Sequence, residues 1–450
     1  MGTDHGDVDP GAGAGAGAGD EAADPDDRIS GLPDHLLHDI LIRLPGTADA
    51  ARTSILSRRW RRVWAHTPVI SLDYRCGFEP ASPGGRVPDR VDAALAAHAA
   101  GTGTGVVSLS LSLSLSRLEI TLRFESLNHL RTDRIAAWLH VAAQRLAGEL
   151  RITLPFCYHS AIADGDDGLG EVLLPVCERA TSIRLDLSYR TLRFALPPAG
   201  AGAGAGGVFF KALATLTIRL ACLHARDLEA AVSSSRCPCL KKLVIESIRL
   251  QQDNGGGDGD DDEDGDGDGG GACDLSIRSD SLEWLEISYG VRDYGRLHVD
   301  APNLETFHAC ITCGLCVLAP KLSEVRWWSS DDHAYDSSRH HLARAGHQLR
   351  RLEVGADSSG LALMRQFNTV DELGLTVNLK RGVEEYERFL KYTDTLAKIY
   401  DDRAWLSASY ATPSPEMCWR TKACGAAEQQ AGTMATPTHA RCHEDVHVAD

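Results

Sequence analysis

The sequence predicts an α/β chain: a small helical module followed by an irregular solenoid of short strands and return segments. Three observations lead there. Between residues 32 and 64 apolar side chains recur at helical spacing. From 106 to 124 the text switches to alternation with period two. Between 213 and 375 one short beat returns seven times.

Residues 1–27 are a Gly/Ala repeat with acids, too poor in apolar side chains to fold, and are expected to be a disordered tail. The helical module is expected over 28–70. In "SGLPDHLLHDILIRLP", Pro33 suits the first helical position and Asp34 the first turn, where the helix dipole favours negative charge. Leu36, Leu37, Ile40, Leu41 and Leu44 follow at helical spacing, and Pro45 makes a stop. In "TSILSRRWRRVW" (53–64), Leu56, Trp60, Val63 and Trp64 fall within an arc of roughly 100° on a helix, opposite Arg58, Arg59, Arg61 and Arg62. Aromatics that stack bases would interleave with the basic groups. Here the two are segregated, so the arginines read as a solvated flank and the tryptophans as packing.

"VVSLSLSLSLSRLEITLRF" (106–124) reads as a strand, and "RIAAWLHVAAQRLAGELRITL" (134–154) as a helix and then a strand. The beats are "LATLTI", "LKKLVI", "LEWLEI", "LETFHA", "LSEVRW", "LRRLEV" and "VDELGL", starting at 213, 240, 282, 304, 322, 349 and 370. Their spacings of 27, 42, 22, 18, 27 and 21 residues, one long gap apart, approach the period of leucine-rich repeats. Each unit would bury its apolar edge only by stacking on its neighbours, in one parallel sheet. The long gap holds the acidic insert 251–272, expected to be a disordered loop. The repeat domain is therefore expected over 100–380, a helical segment over 381–410, and a disordered tail over 411–450.

Composition excludes several classes. The net charge of −17 argues against a polyphosphate binder, although nine of the acids sit in the insert. No apolar run approaches the ~20 residues of a membrane span. Thirteen cysteines without an export signal point to reduced thiols in the nucleus or cytoplasm.

Residues alternating with the apolar strand positions would face the concave side. Among them Arg326 and Trp328 are candidate substrate contacts, since Trp and Arg dominate binding hot spots, while Trp327 falls on the core side. Other clusters read blandly. Cys310, Cys313 and Cys316 have the spacing of part of an iron–sulfur ligand run, but the fourth position is Pro320, so they read as buried packing. Cys237 and Cys239 lack a second pair for zinc. Asp260, Asp262 and Asp264 imitate a calcium loop that fails at Gly271, and His340, His341 and His347 read as surface histidines. No metal or cofactor is expected.

The order "LPDHLLHDILIRLP", "ARTSILSRRWRRVW" and then leucine-rich repeats resembles a plant F-box/leucine-rich-repeat protein. The FBD region that ends many such proteins is not recognisable. The resemblance implies a non-catalytic substrate-recruiting subunit of a Skp–cullin–F-box ubiquitin ligase. Its F-box would dock a Skp-type adaptor, and through it a cullin, while the repeats hold a protein substrate. By position, Leu32, Pro33, Ile40, Leu44, Leu56, Trp60 and Trp64 would carry the adaptor contact or the packing behind it, two roles the sequence leaves unseparated. The alternatives are a ligase-independent scaffold, whose helical module caps its own repeats, and an RNA or DNA binder built on the arginine helix.

Overall fold

The computed structural model describes residues 29, 31–44, 46–74, 87–101, 114–122, 130–155, 170–195, 208–251, 273–288, 294–311, 313–328, 338–343, 349–355, 358–367, 370–378, 404–410 and 416–423. Three helices come first: α1 (Asp34–Ile42), α2 (Thr47–Arg52) and α3 (Arg58–Ala65). Leu37, Leu41, Ala50, Trp60, Val63, Trp64 and Ala65 bury themselves together in a core of their own. Ser57, extended at φ −163° and ψ 170°, caps α3 by accepting the Trp60 N–H at 3.3 Å. This cap corrects the helical reading of Leu56. That residue lies before the helix, off the tryptophan stripe, and is exposed.

The strands then begin at once. They are β1 (Val69–Tyr74), β2 (Leu115–Leu122), β3 (Leu146–Thr153), β4 (Glu171–Leu174), β5 (Ser182–Phe194), β6 (Thr215–His224), β7 (Lys242–Glu246), β8 (Arg249–Gln251), β9 (Cys273–Arg278) and β10 (Trp284–Ser288). β11 (Tyr294–Asp300), β12 (Thr306–Cys310), β13 (Gly314–Leu318), β14 (Glu324–Trp327), β15 (His340–Ala343), β16 (Arg351–Gly355), β17 (Glu372–Asn378), β18 (Ala404–Tyr410) and β19 (Glu416–Ala423) complete them. Between them lie α4 (Val87–Gly101), α5 (Thr132–Arg145), α6 (Ala225–Val232) and α7 (Ser358–Gln366).

The main sheet runs β1-β2-β3-β5-β6-β7-β10-β12-β14-β16-β17-β19-β18, with β4 added to β5 and β8 to β6. It is parallel through β17, a leucine-rich-repeat-like solenoid. Every beat of the sequence is a rung of it, the strand starting two residues after the beat's first apolar residue. Leu216, Leu243, Leu285, Phe307, Val325 and Leu352 stand in one register and are fully or almost fully buried. The backbone ladder extends into the turns: Ala214, Lys241, Glu283, Glu305 and Ser323 carbonyls each accept amide protons from the next unit. This continuity satisfies groups that a parallel stack would otherwise bury unpaired.

Several expectations need correction. The sheet starts at Val69, not near 100, so β1 follows the helical module without a linker. The strand expected over 106–124 is described over 115–122. The single parallel sheet is two: β15-β13-β11-β9 form a second parallel sheet from the return segments. In the units of 22 and 18 residues that start at 282 and 304 the chain goes back as a strand, burying Leu297, Val299, Leu315 and Val317 at alternate positions. The 27-residue gap from 213 and the 21-residue gap from 349 hold α6 and α7 instead, while the 27-residue gap from 322 holds β15. Residues 404–410 of the expected helical segment, and 416–423 of the expected disordered tail, are antiparallel strands continuing the sheet from β17. The last parallel strand offers its edge to 416–423, and 404–410, "AWLSASY", pairs with those residues in turn. Residues 1–27, Pro45, 252–272, 381–403 and 424–450 lie outside the described residues. Among the described residues, no helix is long and apolar enough to cross a membrane.

Candidate functional site

Two surfaces carry the residues singled out by sequence. The first is the helical module. Trp60 and Trp64 are buried and brace its interior, the Trp64 indole N–H reaching the Thr47 carbonyl at 3.4 Å. Leu32 and Leu44 are half-buried against the same core. Pro33, Ile40 and Leu56 are exposed. The seven residues thus divide into an inner group and an outer one. The outer group has further members that the helical pattern had assigned inward or passed over: Ile29, Leu36, Ile42 and Ile55, the last with 81% of its surface open. Leu36 and Ile40 stand four apart on one face of α1.

The arginines are not all a solvated flank. Arg59 donates to the Asp34 carboxylate at 2.7 and 3.0 Å and to the Leu32 carbonyl, clamping α3 to the start of α1. Those hydrogen bonds hold the Asp34 carboxyl below its ordinary range. Arg61 donates to the Ser54 carbonyl at 3.3 Å. The module is also fixed to the solenoid: the Ser71 amide donates to Thr47 Oγ1 at 2.6 Å, and the buried His98 of α4 sits 3.0 Å from the Thr67 carbonyl and edge-on to Trp64.

The second surface is the open face of the main sheet. One row runs across it through Glu119, Arg151, Arg184, Thr217, Val244, Glu286, His308, Arg326, Glu353 and Gly374. Trp328, half-buried just after β14, meets the edge of His308 at 6.1 Å. On its other side His308 meets Trp284 at 4.5 Å, and the Lys242 ammonium lies 4.2 Å from the Trp284 ring centre. Charged groups flank this cluster. Arg326 lies 2.9 Å from Glu324 and 3.2 Å from Glu353, so it is held in a ladder rather than free for a ligand. Trp328 therefore sits in an aromatic cluster, and Arg326 frames it. Trp284 and His308 escaped the sequence reading: Trp284 lies two residues before Glu286 on β10, and His308 stands in register with Glu286 and Arg326.

His308 is nearly closed off, with Glu286 and Glu324 at 3.9 and 3.7 Å from its two nitrogens and Arg326 and Lys242 nearby. Burial, then the Arg326 charge, pushes its imidazole down to about 4, against the pull of Glu324. Its folded pKa lies below the unfolded one, so the neutral ring's stabilisation is fully present above about pH 6.5 and fades as pH falls towards 4. The wild type is expected to lose on the order of 2 kcal/mol relative to a His308→Gln variant between pH 7 and pH 4.5. Paired denaturant melts check this; parallel losses would rule it out.

Of the other cysteines and histidines singled out, several are packed inside, while Cys316 is half-buried and Cys239 and His341 are exposed. Cys310 and Cys313 are buried, and burial raises the Cys313 thiol to about 11. His340, expected at the surface, is buried and 3.0 Å from the Cys313 carbonyl, because β15 turns it into the second sheet's contact with Trp327. His347 lies outside the described residues. Among the described residues no group of three His, Cys, Asp or Glu is placed to hold a metal.

Residues 29–70 match the F-box domain family. Three Arabidopsis thaliana proteins are similar over this region. An F-box/FBD/LRR-repeat protein is 58% identical over 48 residues, 11% of this chain and 10% of the relative. An F-box/LRR-repeat protein is 57% identical over 49 residues, again 11% and 10%. F-box/LRR-repeat protein 25 is 52% identical over 48 residues, 11% and 19%. The matched stretch spans between a tenth and a fifth of these relatives' length. The chain carries an F-box domain at 29–70.

Proposed function

We propose that this chain is the substrate-recruiting subunit of a Skp–cullin–F-box ubiquitin ligase. In this reading Pro33, Ile40 and Leu56, with Leu36 and Ile55, contact the Skp-type adaptor, which brings the cullin. Trp60 and Trp64, with Leu32 and Leu44, keep that surface in shape. The open face of the solenoid holds the substrate protein, and the transfer chemistry belongs to other subunits, so this chain acts by raising local concentration. One observation carries the reading: an F-box whose tryptophans are spent inside while isoleucines and leucines stand in water. Apolar side chains exposed together need a partner. The scaffold alternative would have that face covered by the chain's own repeats. The nucleic-acid alternative needs free arginines, whereas Arg59 and Arg61 are engaged within the module.

Co-expression with a Skp-type adaptor tests the proposal. The intact chain is expected to retain the adaptor through purification. An Ile40→Asp, Leu56→Asp double variant is expected to keep its fold and bind at least about 30-fold more weakly, as for two interface anchors lost. Failure of the well-folded intact chain to retain any adaptor would sink the ligase reading and leave the scaffold in its place.

A further inference from the structure

Along the open face nearly every charge is answered by its neighbour, and Arg184 on β5 is the exception. Arg151, on the strand before it, lies 2.9 Å from Glu149 and 3.5 Å from Glu119. Arg219, on the strand after it, lies 2.6 Å from Glu246. Among the described residues Arg184 has no hydrogen bond or ion pair of its own. It is half-buried, with Arg151 directly beside it in the register and Thr217 on the other side. Burial, and then the charges of Arg219 and Arg151, lower its pKa, against the opposing pull of Asp186 and Glu246. Its register neighbours include hydroxyls and one carboxylate: Ser182 two residues back on the same strand, Thr217 across, and Asp186 two residues on, opposite Thr153. A guanidinium between two arginines, with hydroxyls near and, among the described residues, no carboxylate close enough to pair with it, is an arrangement that an oxyanion completes.

We propose that Arg184, flanked by Arg151 and Arg219, receives a carboxylate from an acidic, extended segment of the bound protein. The inference rests on the reading of the open face as the substrate surface and gives that substrate a chemistry. A peptide fits better than nucleic acid. Asp186, Glu119, Glu149, Glu246, Glu286, Glu324 and Glu353 share the face, and the chain carries −17 overall, so a run of phosphates would be repelled where one or two carboxylates find a place. The face also sets a ruler. β5 and β10 are three strand steps apart, about 14 Å at ~4.8 Å per step. An extended peptide advances ~3.3 Å per residue, so an acidic residue on Arg184 places a side chain about four or five residues away on the Trp284–His308–Trp328 cluster.

The test is a dodecapeptide array probed with the full chain. Each peptide carries an Asp-Glu pair or an Asn-Gln pair, with a Trp, Phe or Leu two to eight residues away. The expected result is about tenfold preference for Asp-Glu peptides, greatest at a spacing of four or five. Arg184→Gln is expected to abolish the preference, and Arg184→Lys to keep most of it. Arg184→Gln also removes a charge lodged among like charges, so its melting temperature is expected to hold or rise, which separates lost binding from lost folding. Trp328→Ala is expected to weaken acidic and amide peptides alike. An acidic preference that survives in Arg184→Gln overturns the proposal, as does a single-stranded 12-nucleotide DNA bound through Arg184 as tightly as the best peptide. Peptide binding that Trp328→Ala weakens, with no acidic preference in the wild type, defeats the Arg184 anchor and leaves the substrate surface standing. No peptide binding at all defeats both.

Discussion

A Trp60→Ala chain is expected to lose hydrogen-exchange protection across residues 34–65 while strands β12 and β14 keep theirs. Removing a buried tryptophan costs about 3–5 kcal/mol. Trp60 is 5% exposed in a small core, seven buried residues among those described, separate from the long core of the solenoid. Small cores of this kind have little to spare. The clamp of Arg59 on Asp34 lies at the surface and cannot compensate, since exposed pairs contribute little. The loss stays local because a solenoid unit depends chiefly on its neighbours. Adaptor retention would fall with it, but for a different reason from the Ile40→Asp, Leu56→Asp variant, which loses the contact and keeps the protection. If Trp60→Ala left protection at 34–65 intact, the division into an inner brace and an outer contact surface would be wrong.

That division shows what a sequence can and cannot display. Helical periodicity put Leu36, Leu37, Ile40 and Leu41 on one stripe, and only Leu37 and Leu41 went inside. The pattern marks which residues avoid water, but which of them meet the chain's own core depends on tertiary packing. The beat was legible for a firmer reason: in a stacked parallel sheet the same two or three positions of every unit are buried by both neighbours, so their identity is constrained seven times over. The rung at β2, "LSRLEI" from Leu115, carries the same beat and was hidden within the Leu/Ser alternation before it. At β5 the first apolar position is Ala180, fully buried, and at β1 it is Thr67. Small or hydroxylated residues there satisfy the packing and erase the signature. Arg184 was illegible in principle, because its isolation depends on where Glu119, Glu149 and Glu246 find partners across the register.

A Gly148→Ala substitution is expected to destabilise the chain by roughly 3 kcal/mol or more, although it adds one methyl group to a strand. The register between β2 and β3 shifts between Leu115 and Arg117, so Ser116 faces an extra residue on β3. Gly148 sits at that bulge. A Cβ there would stand 2.1 Å from the Ser116 carbonyl oxygen and 2.9 Å from its carbon. Both are backbone atoms, which cannot rotate away, so the strands must part. The Ser116 amide is meanwhile held by the Pro68 carbonyl at 2.8 Å, and the Gly148 carbonyl accepts from Thr181 at 2.9 Å. Opening the bulge therefore strains the ladder on both sides, at the point where the sheet joins the F-box. Gly314→Ala is the control: its nearest neighbour is a flexible Arg296 methylene at 3.4 Å, an ordinary contact, and the change is expected to stay within about 0.5 kcal/mol. Denaturant melts of the two variants decide it. Equal stabilities would mean that the close approach at Gly148 relaxes freely, and that the junction between module and solenoid is softer than its hydrogen bonds imply.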